Sequence, residues 1–523
     1  MNQQQMQQQL MELLQGNMWV SAPIWSLGTL AMVVMLVGAF WPKSARTFLP
    51  WLCCAGILGT IWVTTVSATH VDGALGMQNL DSFAVVFDII VLLATAVAVL
   101  VSSPYVCREG LDRGEYYALM LFSASGAMLM AASTNFVMMF LGLELLSIPL
   151  YVLAGFARDK SNSDESALKY FLLGAFASSF FLYGMALVFA ATGSTAISSQ
   201  LVSNPNMMLT IGLGLIAVAI AFKVALVPFH MWTPDVYQGA PTSVTAFMAV
   251  IAKAAGFGAL ARIVAVGLPE SWNTLLWVLA AATMIWGNLI AVSQQNIKRL
   301  LAYSSIAHAG YLLMGILAAS KGGALTQAGL SALLFYLLTY ALMNFGAFAV
   351  VIVLSGQGDK LENLSDFRGI ARRNPTSGVL MAIFMLSLAG IPPFAGFFGK
   401  LFLIQVAIEA GYVGLTVIAV MTSVIAVYYY LRVTVVMWME DEDDDSEPIA
   451  TTRGYGVVLP ALGVLVLVLG ILSNPILKWT DSGAESVALA NPRPVARAIE
   501  EHPNDSEPPL SEEPALVRRE GAL

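Results

Sequence analysis

The chain has 523 residues, of which 58% are hydrophobic and only 11% are charged, and its formal net charge is −8. Soluble domains carry roughly 25% charged residues and nucleic-acid-binding domains are usually basic, so this composition excludes both classes. Runs of about 20 apolar residues, the length that crosses a bilayer, recur from the first quarter of the sequence onward. The predicted fold is therefore an all-α, polytopic membrane helix bundle.

The apolar runs predict about fourteen transmembrane helices. In chain order they start near residues 20, 49, 82, 114, 135, 165, 207, 241, 272, 299, 325, 378, 412 and 454. Residues 1–19 form a polar, glutamine-rich segment, and its first fifteen residues hold no Lys or Arg, so it lacks the charged start of a secretory signal. We expect residues 20–475 to make one transmembrane domain and residues 476–523 to be a polar, disordered tail.

Lysine and arginine concentrate in alternate loops, and the short loops between them hold almost none. The positive loop residues are Lys43, Arg46, Arg108, Arg113, Arg158, Lys160, Lys298, Arg299, Lys360, Arg368, Arg372, Arg373 and Arg453. Because positively charged loops stay in the cytoplasm, both termini are predicted to face outward. The acidic run at residues 440–448 is interpreted as a solvated cytoplasmic spacer or a docking surface.

Cysteine spacing and glycine spacing give no sign of a bound cofactor. Cys53, Cys54 and Cys107 include no CxxC pair, so no iron-sulfur or zinc site is predicted. The run "GLGLIA" from Gly212 imitates half of a dinucleotide fingerprint, but it lies inside an apolar helix and is interpreted as close helix packing. We expect neither a redox cofactor nor a metal in this chain.

A few ionisable residues remain inside the predicted helices, where a charge costs roughly 2.5–3.5 kcal/mol on insertion scales. They are Glu144, Lys169, Lys223, Lys253, His308, Lys400, Arg432 and, near the outer end of its span, Asp88. Burial disfavours a charged lysine and a nearby carboxylate favours it, so a lysine between these influences can take and release protons. Histidine titrates near neutral pH and suits a relay. This pattern indicates a chain of proton sites.

Two helices are predicted to be broken beside such lysines. Pro228 follows Lys223 by five residues, and the pair Pro392 and Pro393 precedes Lys400 in "GIPPFAGFFGKLF". Proline removes a helical hydrogen bond and crowds the preceding turn. One such segment in each half of the chain indicates two inverted five-helix repeats with ion sites at discontinuous helices.

Each ionisable residue also has a structural interpretation. Glu144 and one lysine could form a structural ion pair, and Arg432 could extend to the membrane interface. His230, beside Trp232, is interpreted as interfacial rather than as a relay. Lys169 could belong to the end of the cytoplasmic loop, although the polar residues before it place it one turn inside its helix.

The motifs "LVPFHMWTPDVYQGAP", "SQQNIKRLLAYSSIAHAGYLLMG", "FLGLELLSIPLY" and "GIPPFAGFFGK" resemble those of the antiporter-like membrane subunits of respiratory complex I. The resemblance spans about residues 20–475 and is strongest to the N type of the proton-pumping NADH:quinone oxidoreductase. Lys400 stands where the M type has a glutamate, and the chain lacks the lateral helix of the L type.

The resemblance implies a role for each buried residue. Glu144 matches the glutamate of the fifth helix, and Lys169 matches the lysine of the sixth. Lys223 and Lys400 match the lysines of the broken seventh and twelfth helices. In the remaining positions, Lys253 matches the central lysine of the eighth helix and His308 the histidine of the tenth. Protons would move outward along them while other subunits pass electrons from NADH to quinone.

The resemblance also implies the setting of the chain. NADH, flavin, iron-sulfur centres and quinone are expected in partner subunits, which include an M-type antiporter-like subunit and small membrane subunits. The location is a bacterial inner membrane, with both termini on the periplasmic side. Two other hypotheses stay open: a subunit of a multi-subunit cation/proton antiporter, and a scaffold that joins neighbouring helices.

Overall fold

The computed structural model describes residues 3–41, 48–70, 74–198, 201, 206–265, 270–320, 326–441 and 455–489. Eighteen α-helices lie in these ranges. They are α1 (Gln3–Phe40), α2 (Leu49–Ala68), α3 (Ser82–Glu109), α4 (Gly114–Ala132), α5 (Phe136–Ala154), α6 (Ser161–Thr192), α7 (Met207–Lys223), α8 (Trp232–Gly239), α9 (Thr242–Val264), α10 (Glu270–Ser293), α11 (Ile297–Ala319), α12 (Gln327–Ser355), α13 (Ile370–Arg373), α14 (Pro375–Ala389), α15 (Ala395–Glu409), α16 (Val413–Met439), α17 (Val458–Ile471) and α18 (Ser473–Leu489).

The helices confirm the predicted polytopic bundle. After the first span, every predicted start lies within four residues of a helix start, the largest differences being 165 against 161 and 454 against 458. Ten described helices are long and apolar enough to cross a membrane. The other four predicted spans are α4, the short helices α7 and α14 that precede the breaks, and α17, which is bent by 83° relative to α18.

Two sets of five helices repeat the same packing. In the first set α4 packs against α5 and α9, and in the second set α10 packs against α11 and α16. The third helix of each set, α6 or α12, packs against both halves of the broken helix, which are α7 with α8 and α14 with α15. This shared pairing is what a duplicated five-helix unit requires.

The centre of the bundle lies between the two sets. The apolar stretches of α9 and α12 are buried along their whole length and that of α11 nearly so. Those of α1 (from Met18), α2 and α6 are mostly not buried. Small residues allow close packing elsewhere: a Cβ on Gly184 of α6 would lie 2.6 Å from the carbonyl oxygen of Gly212 on α7. The prediction that Gly212 serves helix packing is therefore confirmed.

The ends of the predicted domain fall inside helices. The boundary between residues 19 and 20 lies within α1, whose apolar part begins at Met18. The boundary at residue 475 lies within α18, so residues 476–489 are helical where a disordered tail was expected. The remainder of the tail and residues 442–450 lie outside the described residues. A short antiparallel pair, β1 (Ala74–Leu75) and β2 (Gln78–Asn79), precedes α3.

Candidate functional site

The first predicted helix break is present, and a carbonyl at the end of its first half has a side-chain partner. Helix α7 ends at Lys223, Pro228 lies in the break and α8 begins at Trp232. The last carbonyls of a helix have no partner within the helix, and the Trp232 indole N–H donates to one of them, that of Phe222, at 2.9 Å. A cation in the last turn also interacts favourably with the helix dipole, which favours a lysine at this position.

Lys223 is buried in a cage of hydroxyls and aromatic rings. Its ammonium group donates to the hydroxyl of Ser147 at 2.8 Å and to that of Tyr170 at 3.1 Å. It also lies 5.1 Å from the ring centroid of Tyr170 and 5.6 Å from that of Tyr151. These contacts replace part of the water that a buried ammonium loses.

Glu144 lies close to Lys223 without a direct ion pair. Its carboxylate accepts a short hydrogen bond from Ser178 on α6. Ser147, which binds Lys223, is one turn further along α5, and the two charges are near enough to interact electrostatically. A movement of either side chain would therefore change how strongly the carboxylate favours the charged lysine.

At the second break, a lysine from the helix after the break binds a free carbonyl at the end of the helix before it. In a continuous helix the Ala389 carbonyl would accept from the N–H of residue 393, but Pro393 has no N–H. The Lys400 ammonium, from α15, donates to that carbonyl at 3.0 Å. Gly390 continues the chain with φ of 86°, and the Lys400 ammonium lies 4.9 Å from the ring centroid of Tyr311.

Lys253 and His308 lie on the central helices between the two breaks. Lys253 is buried on α9 and forms no hydrogen bond or ion pair with any described residue. The His308 ring nitrogens are 2.6 Å from the Tyr336 hydroxyl and 3.1 Å from the Tyr430 hydroxyl. His308 is within electrostatic range of both Lys253 and Lys400, so the structure brings together three of the predicted residues.

Lys169 is set apart from the other lysines. Its side chain is 42% exposed and forms ion pairs with Glu165 at 2.7 Å and Asp235 at 3.0 Å. Asp235 also binds Arg299 of α11 at 2.7 Å. Lys169, Glu165 and Asp235, together with neighbouring polar groups, line a cavity of about 170 Å³. Lys169 thus lies at a polar rim rather than in the buried row.

The remaining ionisable residues lie apart from the buried lysines of the two breaks and the centre. Asp88 is buried on α3 near Arg262, which binds Asp81 through two hydrogen bonds of 2.6 and 2.7 Å. Arg432 donates to the Gln295 side chain at 2.8 Å. The Nδ1 of His230 is buried and has no partner among the described residues.

Sequence reasoning missed the tyrosines and one lysine. Tyr170, Tyr336 and Tyr430 supply hydroxyls to the buried charges. The only available signal was the occurrence of tyrosine inside apolar helices. Lys298 was counted as a loop charge, but it is buried in the first turn of α11. Among the described residues there is no group of three His, Cys, Asp or Glu that could hold a metal.

Comparison with known proteins agrees with this geometry. The family model described as NADH:quinone oxidoreductase/Mrp antiporter, TM, matches residues 133–426, more than half of the chain. The fold and the buried charges thus define an antiporter-like membrane protein. NADH-quinone oxidoreductase subunit N of Trichlorobacter lovleyi is 44% identical over 90% of this chain and 98% of its own length. The chain belongs to the family of NADH-quinone oxidoreductase subunit N, the proton-translocating membrane subunit of that enzyme.

Other matches extend the comparison. Subunit N of Chloroflexus aggregans is 42% identical over 87% of this chain and 94% of its own length. A chain of respiratory complex I from Thermus thermophilus with bound aureothin is 36% identical, with a TM-score of 0.73 over 87% of this chain and 98% of that one. A chain of the Mrp complex from Dietzia has a TM-score of 0.76 over 90% of this chain and 97% of that one, but it is 21% identical and shows the fold alone.

Proposed function

We propose that protons cross the membrane through this chain along the buried residues of the two breaks and the centre. The residues on this route are Glu144, Lys223, Lys253, His308 and Lys400, with Lys169 at the polar rim. The observation that carries the proposal is the placement of a buried lysine at each break, with His308 within range of Lys253 and Lys400. Proton relays are among the functional sites that buried ionisable residues in membrane helices mark.

At the first break, Lys223 would take up and release one proton. A proton held on Lys223 is stabilised by Ser147, Tyr170 and the charge of Glu144. When the carboxylate moves away, burial favours the neutral amine and the proton passes toward Lys253. Lys253 has no fixed partner among the described residues, so it can exchange protons with both sides of the centre.

The second break would complete the route. His308 holds hydroxyls on both ring nitrogens, which is the arrangement a relay needs to receive a proton on one nitrogen and release it from the other. Lys400 receives the proton and releases it outward. The distribution of Lys and Arg predicts periplasmic termini in a bacterial inner membrane, which identifies the cytoplasmic and periplasmic ends of this route.

The energy for transport would come from partner subunits. We propose that NADH, flavin, iron-sulfur centres and quinone are bound there, and that an M-type antiporter-like subunit and small membrane subunits flank this chain. The broad apolar faces of α1, α2 and α6 provide surface for lipid and for such neighbours. Redox chemistry in the partner subunits would act on the lysines of this chain through changes in charge that pass from one membrane subunit to the next.

The test uses the assembled enzyme in inverted membrane vesicles. Lys223→Ala should lower NADH-driven proton uptake and coupled turnover by roughly 100-fold, because a positioned proton-transfer group is lost. The exposed Lys478 provides the matched control Lys478→Ala, which should pump normally. Normal pumping by an assembled Lys223→Ala enzyme would contradict the proposal.

The antiporter alternative and the scaffold alternative make different predictions. A cation/proton antiporter would exchange sodium for protons in vesicles without NADH, and its loss would make cells sensitive to salt. A scaffold would tolerate simultaneous substitution of Glu144, Lys223 and Lys253 with no loss of pumping. The identity to subunit N proteins over nearly their whole length favours the proton-pumping enzyme.

A further inference from the structure

A buried acidic residue lies away from both helix breaks, at the end of the bundle where α3 and α12 finish. Asp359, in the loop after α12, is only 7% exposed. Its Oδ2 accepts hydrogen bonds from the Tyr105 hydroxyl at 2.6 Å and from the Thr242 hydroxyl at 3.1 Å. Its Oδ1 has no hydrogen-bond partner among the described residues and lies 3.8 Å from the Arg108 guanidinium. Such a half-satisfied buried carboxylate needs an explanation.

Charged groups from several elements surround this carboxylate. Lys160, in the loop between α5 and α6, lies 4.0 Å from Asp359 and 3.5 Å from Glu109. Lys298 is buried, donates to the Ala240 carbonyl at 3.2 Å and is within electrostatic range of Asp359. The charged and titratable groups around Asp359 and Lys298 are Tyr105, Arg108, Glu109, Lys160, Glu362 and Tyr455.

The loop places Asp359 directly beneath the surface. Its neighbours Gly358 and Lys360 are exposed, although Asp359 itself is buried. Asp359 has φ of 53°, in the left-handed region that a residue with a side chain rarely adopts. The Glu109 carboxylate holds this geometry by accepting from the Gly358 N–H at 3.0 and 3.1 Å. Backbone strain that is held by a network in this way points to a functional role.

Helix α9 connects Asp359 to the centre of the protein. Thr242, which binds Asp359, is the first residue of α9, and Lys253 is eleven residues further on, about 16 Å along the helix axis. Thr242 thus connects the Asp359 carboxylate to α9, the helix that carries Lys253.

Several hydroxyl groups lie between this part of α9 and His308. Thr245, one turn after Thr242, donates to the Tyr237 carbonyl at 2.9 Å. The Tyr237 hydroxyl faces Ser305, which accepts from the Tyr340 hydroxyl at 2.8 Å. The Tyr340 ring lies 5.0 Å from the ring of His308, measured between centroids. Polar groups are thus spaced between Asp359 and the central histidine, and water would have to bridge the step from Thr245 to the Tyr237 hydroxyl and the step from Tyr340 to His308.

We propose that Asp359 is the proton-uptake residue of this chain. Its carboxylate takes a proton from cytoplasmic water and becomes a carboxylic acid. The Thr242 hydroxyl, which donates to the carboxylate in this structure, then reorients and accepts that proton. It gives its own proton to a water molecule on the inner side, which becomes hydronium, and Asp359 returns to the carboxylate. The inference rests on the proposed proton-carrying function, since Lys253 and His308 are the destination.

The test again uses the assembled enzyme in inverted vesicles, whose outer medium is the cytoplasmic side. Asp359→Asn keeps an acceptor for Tyr105 and Thr242 but cannot carry a proton. NADH-driven pumping by this variant should fall by about tenfold, and the deficit should grow as the outer pH is raised. The loss should be smaller than the roughly 100-fold expected for a catalytic acid, because water can partly replace the Asp359 carboxylate. Asp359→Glu should restore most of the activity, and Asp366→Asn, on the same loop, is the matched control and should pump normally.

A structural role would give a different pattern. If Asp359→Asn and Asp359→Glu lose pumping equally, with the pH profile of the unmodified enzyme, Asp359 only holds the loop and the proposal is overturned. If Asp359→Asn fails to assemble, Thr242→Val decides, because it cuts the inward step while leaving the loop charges in place. Pumping by Thr242→Val at the unmodified level at every pH would overturn the proposal.

Lys253→Met separates this inference from the proposed function. It should lower pumping at every pH, and lowering the outer pH should not restore it. Normal pumping by Lys253→Met would refute the proposed route itself. Impaired pumping by Lys253→Met together with normal pumping by Asp359→Asn would refute the uptake site alone.

Discussion

Lys400 allows its structural contribution to be separated from its proton-carrying role. The Ala389 carbonyl has lost its normal helical donor to Pro393, and the Lys400 ammonium replaces that donor at 3.0 Å. Lys400→Met leaves this buried carbonyl unsatisfied, at a cost of about 1–3 kcal/mol. Lys400→Gln has a side chain only one bond shorter and keeps an N–H near the carbonyl. Neither variant can exchange the proton.

The expected result is a difference in stability without a difference in pumping. For a cooperative unit of 150–250 residues, 1 kcal/mol corresponds to roughly 2–4 °C in Tm, so Lys400→Met should unfold about 2–12 °C below Lys400→Gln. The assay is the fraction of assembled enzyme that survives heating, followed by native electrophoresis, with NADH-driven pumping measured on unheated samples. Equal thermal stability would refute the carbonyl argument, and near-normal pumping by Lys400→Gln would refute proton exchange at Lys400.

Two further predictions concern packing and burial. Gly184→Val should lower the yield of assembled enzyme, with a cost of about 1–3 kcal/mol for overpacking. Even a Cβ at residue 184 would lie 2.6 Å from a backbone oxygen of α7. The control is Gly214→Val, which should assemble normally because a Cβ at residue 214 meets nothing within 4 Å. Asp81→Asn leaves the buried Arg262 charge without its ion pair and should cost about 3–5 kcal/mol. Thermal inactivation measures this loss, and a loss no larger than that of the exposed Asp164→Asn would contradict it.

Sequence patterns predicted the helices and breaks because their causes are local. An apolar run of sufficient length enters the bilayer as a helix whatever its neighbours are. Proline interrupts the helix that contains it, so Pro228 and Pro393 located both breaks. Lys253 and His308 were found for the same reason, since a charge within such a run has no route to water along its own helix.

Residues near helix ends were not predictable in this way. Asp359 and Tyr105 are 254 residues apart in sequence, and only the folded bundle brings them within 2.6 Å. Lys298 follows two glutamines in a segment that reads as a loop, but α8 and the start of α9 cover it. Lys169 shows the opposite case: its helix position suggested burial, and its partners Glu165 and Asp235 hold it at the rim.

Gly390 ties the end of α14 to the position of the lysine beyond it. Its φ of 86° suits glycine, and a Cβ at this residue would also lie 2.9 Å from the Lys400 side chain. Any larger residue at 390 would therefore displace the Lys400 side chain as well as strain the turn. The turn that ends α14 and the position of the Lys400 side chain therefore both depend on Gly390. A mutation at residue 390 would alter both of them.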